Sequence, residues 1–454
     1  MTSEPHEGRA ARSPALATFL SFLWPGLGQF YLGARRAALL FALPLIVVLV
    51  VVALQAQSGI ENIVIELLTP STALTIVILI VLLGIWRLVS MGEALGAAGP
   101  RGRWRRPLPL VTFAVLAALV IGSHAAAASL AMSFYDAGKD IFVAVQDPDV
   151  APTPSLAAIA SPDGSAPSAT TTPSDPPPPK RINILLTGID SSSTRSHALN
   201  DTLLVVSIDP TTGGIAMVSF PRDMSRLPTP TGGRFDGKIN SLMSYANAHP
   251  SKYPGGGMDA LTTEIGYLLG AKIDYYASVD LEGFRKLIDK VGGVTVTVKK
   301  AIHDPAYGGW DTPGKVGFDI TVGKHHLDGE EALAFVRSRK TTSDFDRARR
   351  QQQLLLALQH KMTDPAMIPN LPGILQAATK TLKTNFPPDQ LSMMLELARK
   401  TDEDSIKRYV LSAPYTTHPT NITSTYILVP NMDRIAKLSI SIFGPDSRYY
   451  VAPS

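Results

Sequence analysis

Ile182–Asp190 reads INILLTGID and Thr202–Asp209 reads TLLVVSID. Both runs are short, rich in β-branched and aliphatic residues, and bounded by Gly, Asp or Pro, which marks them as strands. Three further runs share the pattern: IAMVSF at 215–220, YYASVD at 275–280 and VTVTV at 294–298. Between and after them, helical patterns cover Asp259–Leu269, Leu281–Val291, Gly329–Val336, about Asp346 to Met362, Leu371–Thr384 and Asp389–Arg399. Strands interleaved with helices predict an α/β or α+β domain over residues 181–454, its helices packed on a central sheet. No internal repeat is evident.

The chain before that domain has another character. Of its 454 residues 45% are hydrophobic, the mean hydropathy is +0.13, and most long apolar runs precede Ala131. Three of them, near 37–53, 67–86 and 108–132, hold no interior charge and reach the roughly 20 residues that cross a bilayer. Leu16–Leu32 is apolar too, but Pro25 and glycines interrupt it, so it either spans or enters and returns. Its PGLGQFYLG is similar to the start of a small paired-helix membrane domain fused to varied partners. Apolar sequence continues far past any cleavage point, so no cleavable signal peptide is expected.

Arg35 and Arg36 precede the first span, and Arg87, Arg101, Arg103, Arg105 and Arg106 lie between the second and third. The loop between the first two spans holds Glu61 and Glu66 and no Lys or Arg. Basic loops stay cytoplasmic, so the chain beyond residue 133 is expected outside the cytoplasm. The expectation is a multi-pass protein of the cell membrane. Residues 1–133 form an α-helical membrane region, 134–180 a linker, and 181–454 an extracytoplasmic domain. Asp147–Pro179, rich in Pro, Ser, Ala and Thr, suits an extended, semi-rigid spacer.

Several chemistries are excluded or gain no support. With no cysteine there are no disulfides and no thiolate metal sites. A net charge of +4 without a long basic tract gives no support to a nucleic-acid partner. No G-x-S-x-G elbow or P-loop occurs. His303 and the pair His325–His326 lack the spacing of metal ligands on a helix.

Val336–Gln353, VRSRKTTSDFDRARRQQQ, packs five arginines into the fourteen positions from Arg337 to Arg350. Such a run is either a solvated helix face or an anion site, since the planar guanidinium matches phosphate oxygens. Ser343 and Asp346 form a capping signature that starts a helix near Asp344. Arg347 then sits in the first turn, where the helix dipole disfavours a cation and favours an anion bound in front of it. Arg347, Arg350 and Gln351 share one face. Asp190 ends one strand and Asp201 precedes another. Acids at strand ends are either turn caps or ligands for a hard cation such as Mg²⁺. Arg222 in SFPRD and Lys238 in GKIN also follow strand-like runs. Acids for a metal together with arginines for phosphates match the needs of phosphoryl transfer.

In this order, INILLTGID, NDTLLVVSIDP, VSFPRD, KIN, LDGEEALAFVRSR and DFDRARRQQ resemble the LytR–CpsA–Psr family, from about residue 181 to the C-terminus. The resemblance implies an α/β/α sandwich with a central mixed sheet outside the membrane. It also implies a phosphotransferase that moves a cell-wall glycopolymer from a polyprenyl pyrophosphate carrier onto peptidoglycan through a new phosphodiester. Mg²⁺ (or Mn²⁺) is the implied cofactor, and a hydrophobic groove holds the prenyl tail. By motif, Asp190 and Asp201 would hold the metal, and Arg222, Arg337, Arg339 and Arg347 would grip the pyrophosphate. Lys238 and Gln351 would line the same site, and Asp190, Asp201, Arg222 and Arg347 would be catalytic. Arg349 and Arg350 would be surface or support.

Two positions depart from the family pattern. Leu199 stands where an arginine usually precedes the second aspartate, and Asp346 replaces the glycine of D-F-G-R. Arg195 is either a substitute for the missing arginine or a solvated loop residue. Two other functions fit the same residues: a pyrophosphatase that releases the glycan to water, and a non-catalytic regulator of envelope biogenesis.

Overall fold

The computed structural model describes residues 12–57, 59–98, 106–143, 181–190, 199–308, 316–338, 342–379, 381–401, 405–420 and 425–452. The chain divides into two compact units: Met1–Asp140 with Pro388–Ser392, and Ile141–Pro387 with Met393–Ser454.

In the first unit three helices are long and apolar enough to cross a membrane: Arg35–Ala56, Pro70–Ala97 and Pro107–Ile141. The second starts at Pro70 behind Thr69, three residues later than the hydropathy suggests, because proline suits the first helical turn. The third runs past Met132 to Ile141, so the stretch expected as linker from 134 begins as helix. No proline occurs between Pro109 and Pro148. The remainder of that linker, 144–180, lies outside the described residues.

The interrupted apolar segment forms two short helices, Pro14–Leu23 and Leu27–Leu32. At 1.5 Å per residue neither reaches the roughly 30 Å of a hydrocarbon core. Gly26 turns the chain between them at φ 99°. Gly28 packs so closely that a Cβ there would lie 2.2 Å from the Ala17 carbonyl oxygen. Gln29 is fully buried and ties this hairpin to helix Pro70–Ala97. Its amide donates to the Ser90 carbonyl at 2.8 Å and to Glu93 at 2.8 Å, while Ser21 donates to its oxygen.

The second unit is built on a six-stranded sheet. Strand β1 (Ile182–Asp190) lies between β2 (Leu199–Ile208) and the strand Tyr275–Asp280, and β3 (Ile215–Ser219) follows β2. Leu382–Thr384 and Lys407–Val410 close the two edges. Pairing is antiparallel for β1–β2 and β2–β3 but parallel for β1 with Tyr275–Asp280 and for β3 with Lys407–Val410. The sheet is therefore mixed. Successive β2 residues serve two different cores, as strand alternation requires. Leu203 and Val205 join Leu261 and Ile265 of helix Gly256–Leu269 and Leu438 of helix Met432–Phe443. Leu204 and Val206 join Leu355 and Leu356 of helix Asp344–Met362.

VTVTV is a strand, but it pairs with Gly323–Leu327 in a separate two-stranded sheet. The helix expected over Leu371–Thr384 stops at Ala378. Thr379 and Thr381 turn their hydroxyls back onto the carbonyls of Leu375 and Ala377. Leu382–Thr384 then pairs with Tyr275–Asp280.

Candidate functional site

The site begins with a defect in the sheet. Gly188 pairs with Thr202 and Ile189 with Asn200, which leaves Asp201 as an extra residue on β2. Such a bulge re-aims a side chain and bends its strand. Asp201 lines a cavity of about 800 Å³ and accepts a hydrogen bond from Arg222 Nη1 at 2.9 Å. Asp190 is the last residue of β1 and pairs with Leu199, so the two sequence-predicted acids belong to adjoining ends of paired strands. The side chain of Asp190 lies outside the described residues.

Arg222 follows β3 and lies among three carboxylates. Besides Asp201, its Nε is 3.8 Å from Asp223 and 3.9 Å from Asp344. Burial works to lower its pKa, and Asp201, Asp344 and Asp223 outweigh burial and leave it raised. Lys238 Nζ bonds to Asp223. Lys238 is thus tied to the neighbour of Arg222 in the chain and is not among the residues that line the cavity.

Helix Asp344–Met362 supplies the other side. Ser343 and Asp346 form the expected capping box, and Arg347 stands in the first turn. Only 6% of Arg347 is exposed, and its contact with Asp344 is 3.4 Å long. Burial lowers its pKa and Arg222 adds to this, while Asp344 opposes both. The Nε atoms of Arg222 and Arg347 are buried with no hydrogen-bond partner among the described residues. Buried donors of this kind call for an acceptor from outside the chain. Two guanidiniums at one cavity point to an anion with several oxygens.

Arg337, Asp344, Arg347 and Gln351 all border the cavity. Arg350, on the same helical face as Arg347, does not. Its guanidinium donates to the Ser338 carbonyl and to Thr342, and it lies 5.6 Å from the Phe335 ring. It therefore ties the helix to Ser338 and Thr342. Arg349 is exposed and pairs with Asp346. Arg339 and Arg195 lie outside the described residues.

Sequence reasoning did not single out Asp223, Asp344 or Tyr307. The first two stand inside SFPRD and DFDRARR, next to arginines that were singled out. Tyr307 has no motif around it. It borders the cavity, where burial pushes its hydroxyl up to about 12, with Arg337 opposing.

Much of the cavity wall is hydrocarbon: Leu186, Leu204, Val279, Phe284, Leu354 and Leu358 contribute to it. One space thus joins an apolar lining to a cluster of acids and guanidiniums. Among the described residues no three His, Asp or Glu side chains form a metal cluster. Of the two acids expected to hold Mg²⁺, Asp201 borders the cavity and the side chain of Asp190 lies outside the described residues.

A model of the LytR_cpsA_psr family matches residues 160–440. The chain belongs to this family. It is similar to the polyisoprenyl-teichoic acid–peptidoglycan teichoic acid transferase TagV of Bacillus subtilis (strain 168), 32% identical over 210 residues. That match covers 46% of this chain and 50% of TagV, so the chain spans about half the length of that relative. TagU of Halalkalibacterium halodurans, a transferase described in the same words, is 29% identical over 57% of this chain and 76% of its own length. Among solved structures, the crystal structure of B. subtilis TagV matches with a TM-score of 0.46 and 28% identity, over 58% of this chain and 97% of the crystallised chain. Of the positions that carried the resemblance, Asp201, Arg222, Arg337, Arg347 and Gln351 border one cavity in this member of the LytR_cpsA_psr family.

Proposed function

We propose that this protein transfers a cell-wall glycopolymer from a polyprenyl pyrophosphate to a hydroxyl of peptidoglycan, leaving a phosphodiester. The observation that carries the reading is one cavity in which buried guanidinium nitrogens, without a hydrogen-bond partner among the described residues, adjoin a hydrocarbon wall. A ligand that matches it has an anionic head of several oxygens and a long apolar tail. The names of TagV and TagU, transferases of polyisoprenyl-linked teichoic acid to peptidoglycan, support the same ligand class.

Arg222 and Arg347 bind the pyrophosphate and neutralise charge on the transferring phosphoryl, the main task in such a reaction. The new bond joins the acceptor oxygen to the glycan-bearing phosphorus, the bond to the bridging oxygen of the prenyl phosphate breaks, and the hydroxyl proton ends on that phosphate, released as the monophosphate. Asp201 orients Arg222 through their 2.9 Å hydrogen bond. Asp344 does the same for Arg347 from within one helical turn. The leucine-rich wall holds the prenyl chain and keeps water from the reacting phosphorus. Mg²⁺ or Mn²⁺ on Asp190 and Asp201 would add positive charge against the pyrophosphate.

The three long apolar helices fit membrane anchoring. Loop arginines support a multi-pass topology with residues 181–454 outside the cytoplasm. The two hydrophobic cores on β2 support an α/β/α sandwich. Mass spectrometry of lipid co-purifying with the full chain tests the reading. A polyprenyl pyrophosphate or its glycan adduct is expected, lost in Arg347→Ala. Retention only of phospholipid that Arg347→Ala does not displace contradicts it.

A further inference from the structure

Beside the arginine site, outside the cavity lining, stands an aromatic pair that the phosphate chemistry does not use. Tyr426 is 52% exposed, and its ring stacks on His418 with centroids 4.7 Å apart and planes 24° from parallel. The stack is held in place. His418 Nδ1 lies 2.8 Å from the Ile427 carbonyl, which fixes that nitrogen as the donor. Two residues beyond Tyr426, Leu428 N donates to the Asp223 carbonyl at 2.9 Å, and Ser225 N donates to Leu428. The segment carrying the ring is thus paired to the backbone immediately after Arg222. Partial burial, with the carboxylates of Asp223 and Asp344, holds the Tyr426 hydroxyl above the ordinary tyrosine range. The same two carboxylates flank Arg222.

A half-exposed tyrosine face braced by a second ring is a flat apolar surface with a polar rim. A pyranose is its complement, with C–H bonds on its faces and hydroxyls at its edge. Direction of attack selects which sugar. In phosphoryl transfer the attacking and leaving oxygens are roughly in line. With the prenyl chain in the leucine-lined cavity, the prenyl phosphate leaves toward that cavity. The attacking hydroxyl must then arrive away from the prenyl chain, and Tyr426, which shares Asp223 and Asp344 with Arg222, stands beside the arginines without joining the apolar wall.

We propose that Tyr426, oriented by His418, is a stacking platform for a pyranose ring of the acceptor glycan. It holds that sugar's hydroxyl in line with the phosphorus bound at Arg222 and Arg347. This rests on the transferase reading and assigns its acceptor subsite.

The test is binding, which does not depend on turnover. Oligosaccharides of alternating N-acetylglucosamine and N-acetylmuramic acid are titrated into the full chain in detergent, and saturation-transfer NMR gives the dissociation constant. Tyr426→Ala should weaken binding about tenfold or more, and Tyr426→Phe by no more than about twofold, because the ring face remains. His418→Ala should fall between them. Unchanged binding in Tyr426→Ala overturns the proposal. So does an equal loss in Tyr426→Phe, which would make the hydroxyl the contact. A tail-less sugar pyrophosphate is titrated in parallel. If Tyr426→Ala weakens that probe and spares the oligosaccharide, the ring serves the donor and the proposal falls. A wild-type protein that binds oligosaccharide through Tyr426 yet never transfers glycan would contradict the transferase reading and leave the subsite standing.

Discussion

Arg347 and Arg350 lie one turn apart on the same helix, both nearly buried, and their replacement by alanine should have opposite consequences. Arg347→Ala removes a cation from the first turn, relieving about 0.3–1 kcal/mol of unfavourable dipole interaction. It gives up a 3.4 Å contact with Asp344, whose side chain is 25% exposed, worth about 0.3–1 kcal/mol. Its stem borders an existing cavity, so truncation enlarges that space rather than opening a new void. The terms cancel to within about 1 kcal/mol, a shift of roughly 2–4 °C in Tm for a domain of this size. Transfer should nonetheless fall about 10²–10³-fold, as when a charge-stabilising donor is removed from a reacting centre. Arg350→Ala loses charged hydrogen bonds to Ser338 and Thr342, a loss of about 1.5–3 kcal/mol, and its contact with Phe335 as well. It should lower Tm by roughly 5 °C or more, with transfer by the folded fraction nearly intact. Thermal unfolding of the full chain in detergent, beside a transfer assay, reads both quantities. If Arg347→Ala unfolds the protein by more than about 3 kcal/mol, or transfers at the wild-type rate, the clamp assignment is wrong.

Asp201→Asn should leave the fold intact, weaken Mg²⁺ dependence and lower transfer about a hundredfold or more, read by titrating metal into the assay. Burial pushes the Glu264 carboxyl up to about 7, with Lys252 opposing. The folded chain therefore keeps a proton that the unfolded chain releases above its ordinary value, and stability should fall as pH rises from about 4.5 to 7. Glu264→Gln should flatten that slope and add about 1–3 kcal/mol at pH 8, measured by denaturant titration. A reporter fused after Ser454 should be active only when exported, and cytoplasmic activity would overturn the topology. If Arg195 supplies the charge missing at Leu199, Arg195→Ala slows transfer about tenfold, roughly 1.4 kcal/mol, and Leu199→Arg restores most of it. A wild-type rate in the single variant removes Arg195 as the substitute charge.

Strands whose β state is encoded locally were legible: INILLTGID, YYASVD and VTVTV match strands that begin and end where the sequence indicates. The two edges of the central sheet were not. KRYV at 407–410 falls in none of the strands or helices expected from the sequence, and Leu382–Thr384 reads as the end of a helix. Both become strands through pairing with β3 and with Tyr275–Asp280, a tertiary effect that overrides local propensity. At the site, Asp201, Arg222 and Arg347 were legible as charges placed where strands and a helix begin or end. The split between Arg347 and Arg350 came from the family resemblance alone, because a shared helical face does not say which guanidinium meets a carbonyl. A hydrophobic groove was implied by the resemblance, but its lining could not be read from the residues, since the wall is gathered from elements far apart in the chain.

The central claim is that the glycan-bearing phosphorus ends on peptidoglycan rather than on water. Purified full-length protein would be given a polyprenyl pyrophosphate glycan and peptidoglycan fragments, and the products followed by ³¹P NMR and mass spectrometry. The account predicts a phosphodiester resonance and a fragment heavier by the glycan and one phosphoryl group, with polyprenyl monophosphate released in equal amount. Glycan phosphate released free in solution, with the fragments unmodified, would contradict it.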